Sequence, residues 1–173
     1  MHSVNRSRLR AVVLAVSFCA CASVPDALPD EVASHLGASW YPHRAAQLGI
    51  DVDTARARDA ELSESVPPHD LWDAALRDEA RAVWRDQCAR CHGARGRLEG
   101  VAPLPPDQKP PRDWSGFGAK FGLFLAGDDL RATYFRRIQR GGDREGNPTM
   151  MPAWADSLSR EQTWALVFLL EEF

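Results

Sequence analysis

The hexapeptide Cys88-Ala89-Arg90-Cys91-His92-Gly93 limits what this chain can fold around more than any other stretch. It is a C-x-x-C-H pattern, the spacing for covalent attachment of a c-type haem. Two thiols three positions apart can each add to a vinyl group on one edge of a single porphyrin. The adjacent histidine is then held beneath the iron as the proximal ligand. Two other readings of C-x-x-C compete. A thioredoxin-like redox pair wants a βαβ context, and none is visible. A structural zinc site wants two more ligands at short spacing, and the chain has no second cysteine pair or closely spaced histidine pair beyond the motif.

The chain is long enough, at 173 residues, for one domain plus an extension. Its net charge of -3 gives no nucleic-acid footprint. Of its four cysteines, two lie in the motif and two, Cys19 and Cys21, lie near the start, so no structural disulfide is expected in the folded domain. The start reads as an export signal over residues 1–22. Arg6, Arg8 and Arg10 form a positive region, and the apolar run Ala11 to Ala20 is too short to span a bilayer. Ala20-Cys21-Ala22 fits a small-x-small cleavage site. Phe18-Cys19-Ala20-Cys21 fits a degenerate lipobox, with Cys21 as the lipidated residue that would tie the protein to a membrane. Export agrees with the motif, because attachment to C-x-x-C-H takes place outside the bacterial cytoplasm. The expected location is periplasmic or envelope-associated.

Residues 23–68 are acidic and interrupted by prolines, and they read as an extended tether with a short helix around Asp53 to Ser63. Within it, Trp40-Tyr41-Pro42-His43 is unusually aromatic. It reads as packing on the domain surface, against the sharper readings of a partner contact or of His43 competing for iron. The domain proper is expected over 69–173. A helix from Asp70, as its cap, to Gln87 carries an apolar face of Leu71, Trp72, Ala75, Leu76, Ala80, Val83 and Trp84 and runs into Cys88. Glycines after His92 suit a tight loop, and prolines stiffen the next segment, from Pro103 to Pro111. A ligating imidazole normally donates its second N–H to a carbonyl, for which Pro103 or a neighbour is the candidate. Arg112 and Trp114 carry donors for haem propionates. Gly116 to Ala126 reads as a loop lining the haem crevice. A helix then runs from Leu130 to Gln139, capped by Asp128 or Asp129 and ended by Gly141-Gly142, with Arg131, Arg136, Arg137 and Arg140 facing out.

Met150-Met151-Pro152 lies in a loop spanning Gly141 to Asp156. A thioether is a soft ligand for haem iron, and methionine trans to histidine raises the reduction potential. Met151 is favoured because the following proline holds its backbone extended, with Met150 as the alternative. A final helix from Arg160 to Glu172 opens on the capping box Ser159-Arg160-Glu161-Gln162. Its inward stripe is Trp164, Val167, Phe168 and Leu170 or Glu171.

Taken in order, these segments resemble the bacterial class I, single-haem cytochromes c. Cys88, Cys91, His92 and Gly93, the Pro111-Arg112-Asp113-Trp114 stretch, the Ile138 to Gly141 helix end, Met151-Pro152-Ala153-Trp154 and the closing Leu158 to Val167 carry the resemblance. It implies an all-α fold wrapped around one haem c, with the first and last helices crossing, and His92 and Met151 as axial ligands. It implies one-electron transfer between redox partner proteins, as a monomer or as the haem-bearing subunit of a membrane oxidoreductase. The chain departs from the family pattern after Cys-His-Gly, where Gly96-Arg97-Leu98-Glu99-Gly100 replaces a glycine-rich acidic run. A haem enzyme or gas sensor with an open sixth site is the contrasting reading, and it requires both methionines to be packing residues.

Overall fold

Residues 164–170 read Trp-Ala-Leu-Val-Phe-Leu-Leu, so a helix there has no face that water can take. The computed structural model describes residues 33–101, 103–142 and 150–173. In it the helix α6 (Arg160–Glu172) is buried at every position from Glu161 to Leu170, not along one stripe. Ser159 caps it through the Gln162 N–H, and Gln162 returns the bond, closing the capping box.

Helices close around α6 from several directions, and no strand occurs among the described residues. α3 (Ala74–Val83) packs Leu76, Ala80 and Val83 into the shared core. Its cap is Asp73, whose carboxylate accepts from the Leu76 N–H at 2.7 Å. Asp70 falls instead in a short 3-10 turn, His69–Leu71. α5 (Phe117–Arg140) sets Phe135 against Trp164, with ring centroids 4.6 Å apart. α5 bends at Gly127, whose φ of 50° only glycine adopts cheaply. The segment 116–126, expected as a loop, is therefore the first half of a helix. It lacks proline, and Ala119 and Leu123 anchor it in the core, while Phe117 and Phe124 point to solvent.

The described part of the expected tether is folded. α1 (Trp40–Leu48) and α2 (Val52–Glu61) lie against the domain, and the short helix expected near Asp53 to Ser63 is α2. The leader, and the tether before residue 33, lie outside the described residues. Trp40 is 1% exposed and belongs to the common core. The tether reading gives way because α6 needs covering on this side as well. The Trp164 indole donates to the Ser63 carbonyl at 2.9 Å, and Arg160 to that of Leu62 at 2.6 Å.

Polar contacts fix the joint. Asp59 accepts from the backbone N–H groups of Arg160 and Glu161, at 3.2 and 2.7 Å, and from the Tyr41 hydroxyl at 2.9 Å. A carboxylate there satisfies orphan donors and opposes the helix dipole. Burial, then Asp59, pushes the Tyr41 phenol up to about 12. Arg44 is 3% exposed and donates to Glu161 at 2.7 Å and Asp73 at 3.0 Å. Burial pushes the Glu161 carboxyl up, and Arg44 pulls it back.

Removing one partner of a buried pair strands the other charge. Arg44→Ala is expected to cost about 3–5 kcal/mol, and Trp40→Ala a similar amount, about 3–5 kcal/mol, by leaving a cavity. Urea unfolding of each variant checks this. A loosely attached extension would leave both midpoints unchanged.

Candidate functional site

α3 does not stop at Val83. Its backbone widens into a π turn over Trp84–Cys88 and tightens again into α4 (Ala89–His92). Such insertions are frequent at functional sites. The path carries Cys88, Cys91 and His92 straight off the core helix, and their spacing puts them on one face as i, i+3 and i+4 neighbours.

The loop after His92 turns back at once. Gly93 has a φ of 80°, and a Cβ there would lie 2.8 Å from the Glu99 backbone nitrogen. Glu99 stands where the family run differs, and it organises the loop. Its carboxylate accepts from the backbone N–H groups of Arg95 and Arg97, at 2.5 and 3.0 Å. These bonds hold it below the usual carboxylate range. The Trp84 indole donates to the carbonyls of Gly93 and Ala94, both at 3.2 Å, and its ring lies 5.6 Å from that of His92.

These elements open on one cleft of about 560 Å³, counting the space continuous with solvent. That is within the range of cofactor pockets. Cys88, His92, Trp114, Tyr134 and Met151 line it, with Leu166 and Leu170 of α6 behind them. Burial pushes the Cys88 thiol up to about 12, with a further push from Cys91. A thiol held protonated in apolar surroundings is a poor nucleophile, which argues against a dithiol redox pair. Burial also holds the His92 imidazole below its usual value, so the ring is neutral and has a lone pair to give.

Met151 is set by the end of α5. Gly141 has a φ of 76°, and a Cβ on it would meet the Met151 carbonyl oxygen and the Ala153 nitrogen, each at 2.9 Å. The N–H groups of Trp154 and Ala155 satisfy the last carbonyls of α5, at Ile138 and Gln139. The Gly142 N–H bonds the Met151 carbonyl at 2.9 Å. Met150 is 65% exposed and does not line the cleft. Residues 143–149 of this loop lie outside the described residues.

The other expected residues are divided. Trp114 lines the cleft, whereas Arg112 is exposed, with its guanidinium 5.6 Å from the Trp114 ring and 5.8 Å from that of Tyr134. Pro103 sits on the exposed proline loop beside a different depression. The backbone that acts on the His92 ring is that of Arg112. Arg137, expected to face out, lines the cleft and donates to the Gly142 carbonyl at 2.7 Å. Tyr134 was legible only as an inward position, with nothing to mark its hydroxyl as part of a site. His43 is not part of this lining and stacks on His35.

The lining suits a c-type haem. A flat apolar macrocycle wants apolar walls, and its acidic substituents want donors. Among the described residues, Trp114 Nε1 and Tyr134 Oη are buried without a hydrogen-bond partner, and both residues line this cleft. Unpaired buried donors are costly unless something completes them.

Cys88 and His92 of the motif line the cleft, whereas Cys91 is exposed beside them on α4. The sequence model of the family described as "Cytochrome C oxidase, cbb3-type, subunit III" matches residues 75–168, and the chain belongs to this family of class I-like, single-haem cytochrome c domains. Haem-based electron transfer is the function the family implies. No curated protein and no solved structure matches the chain.

Gly141→Ala places a side chain in a left-handed conformation and into the Met151 backbone. It is expected to destabilise the domain by more than about 1 kcal/mol, as incompatible glycine substitutions do. Thermal unfolding checks this, with Gly118→Ala, a position with open space around it, as the control.

Proposed function

We propose that the chain is a one-electron carrier of the bacterial envelope. In this reading it holds one haem c through Cys88 and Cys91, with His92 and Met151 as axial ligands. The observation that carries it is the shared cleft: Cys88, His92 and Met151 line it together, and Met150 does not. When bound, the haem supplies the Fe(III)/Fe(II) couple. The protein's part is to keep its surroundings from changing. His92 is oriented by its helix and kept neutral by burial. Met151 is pinned through Gly141 and Gly142. Trp84, Ile138, Leu166 and Leu170 exclude water, and Trp114, Tyr134 and Arg137 supply donors where acidic substituents would lie. A site so fixed needs little reorganisation as one electron comes or goes.

Arg90, Arg95 and Arg97 are exposed around the attachment helix and its loop, and they form a weakly basic rim for a redox partner. The leader supports export, and Cys21 supplies a point for lipid attachment. Among the described residues no helix is long and apolar enough to cross a membrane. The family's description supports a second reading with the same chemistry, a haem-bearing subunit of a larger oxidase.

Optical spectra of protein matured with its haem test the assignment. Met151→Ala is expected to abolish the weak long-wavelength ferric band of a methionine–iron bond, and Met150→Ala to leave it intact. Cys88→Ala and Cys91→Ala should lower the yield of covalently loaded protein sharply. Carbon monoxide binding to the reduced wild-type protein would instead support an open sixth position.

A further inference from the structure

Outside the haem cleft lining, the structure brings together three donors that the electron-transfer reading does not use. His35 lies on the lead-in to α1, His43 on α1, and Glu79 on α3. One ligand atom from each lies within 4.8 Å of the other two. Ligands about 2.0–2.2 Å from zinc sit roughly 3–4 Å from one another, so the three atoms need only a small closure to meet on one ion. We propose that His35, His43 and Glu79 form a site for a borderline divalent cation, Zn²⁺ by its donor set, that fastens the N-terminal helices to the haem domain.

The carboxylate is the strongest part of the case. Glu79 is 2% exposed, and a buried carboxylate needs a cation or a full set of donors. Its Oε1 is supplied by the His35 N–H at 2.8 Å and the Gln162 amide at 2.9 Å. Among the described residues, its Oε2 is met by an imidazole, His35 Nδ1, at 3.0 Å.

The second histidine strengthens it. His43 stacks on His35 with ring centroids 3.6 Å apart and planes 12° from parallel. Two imidazoles and a carboxylate are a donor set known from zinc sites, and water completes the coordination. Capture moves the proton on His35 Nδ1 to the other ring nitrogen or to solvent. It also turns the two rings out of their parallel stack, so that each lone pair points at the ion. The Gln47 amide N–H, its oxygen held by Arg44, donates to His43 Nε2 at 2.8 Å, and an ion bound at Nε2 displaces this bond.

The test uses haem-loaded protein without a polyhistidine tag, stripped with chelator and titrated with zinc chloride by calorimetry. One saturable Zn²⁺ per chain is expected, with a rise in melting temperature. His43→Ala should bind at least about tenfold more weakly, since even an outer-shell change at a metal ligand costs that much. It should also lose the zinc-dependent rise in melting temperature while keeping the haem spectrum. His35→Ala is the second variant. Absence of binding to the wild type overturns the proposal. So does binding that both histidine variants retain in full, which would put the ion elsewhere.

Discussion

A helix with no polar face has to be surrounded, and α6 is such a helix. Its residues 164–170 cannot meet water on any side, so the remaining elements are placed by the need to cover them. α3 and α5 take two directions, and the N-terminal pair α1 and α2 takes another. What is left is the cleft, where Leu166 and Leu170 form part of the wall. Cover and cofactor site are thus parts of one solution: the apolar wall that suits a haem is the side of α6 that protein does not close.

The polar contacts obey the same logic. Wherever burial of α6 carries charge inside, a partner has been brought to it. Asp59 meets the helix N–H groups, Arg44 meets Glu161, and Gln162 bridges Glu79 and the His35 carbonyl. Such groups add little net stability when satisfied, but each is costly when its partner is lost. They therefore act on the choice of arrangement, fixing how the N-terminal helices sit on the domain.

The attachment motif, the capping box, the Gly141 stop and the span of α6 were all legible in the sequence, because each is local: a spacing, a cap, a glycine, an apolar run. The role of residues 33–68 was not. Their prolines and acidic residues read as a tether, and Arg44 and Asp59 look like surface charges until their partners more than a hundred residues away are known. The length of α5 was missed for a related reason. Its glycines and exposed phenylalanines resemble a loop, and only the burial of Ala119 and Leu123 gives the helix its footing. At the site, Cys88, Cys91 and His92 were plain from spacing. Arg137 was misplaced because helical periodicity says which side a residue is on but not how far an arginine reaches. The Arg112 backbone near His92 depends on the course of a proline loop that no periodicity describes.

The contacts between Asp59 and the start of α6 join residues about a hundred positions apart. Folding rates fall as contacts become more distant in sequence, because loop closure comes before any reward. The helices α1 and α2 are made about a hundred residues before the helix they cover. Trp40 and its neighbours lack part of their core until Trp164 arrives. A chain emerging N-terminus first therefore presents an incomplete apolar surface until α6 is delivered. Loss of the last helix would leave the first ones without a partner.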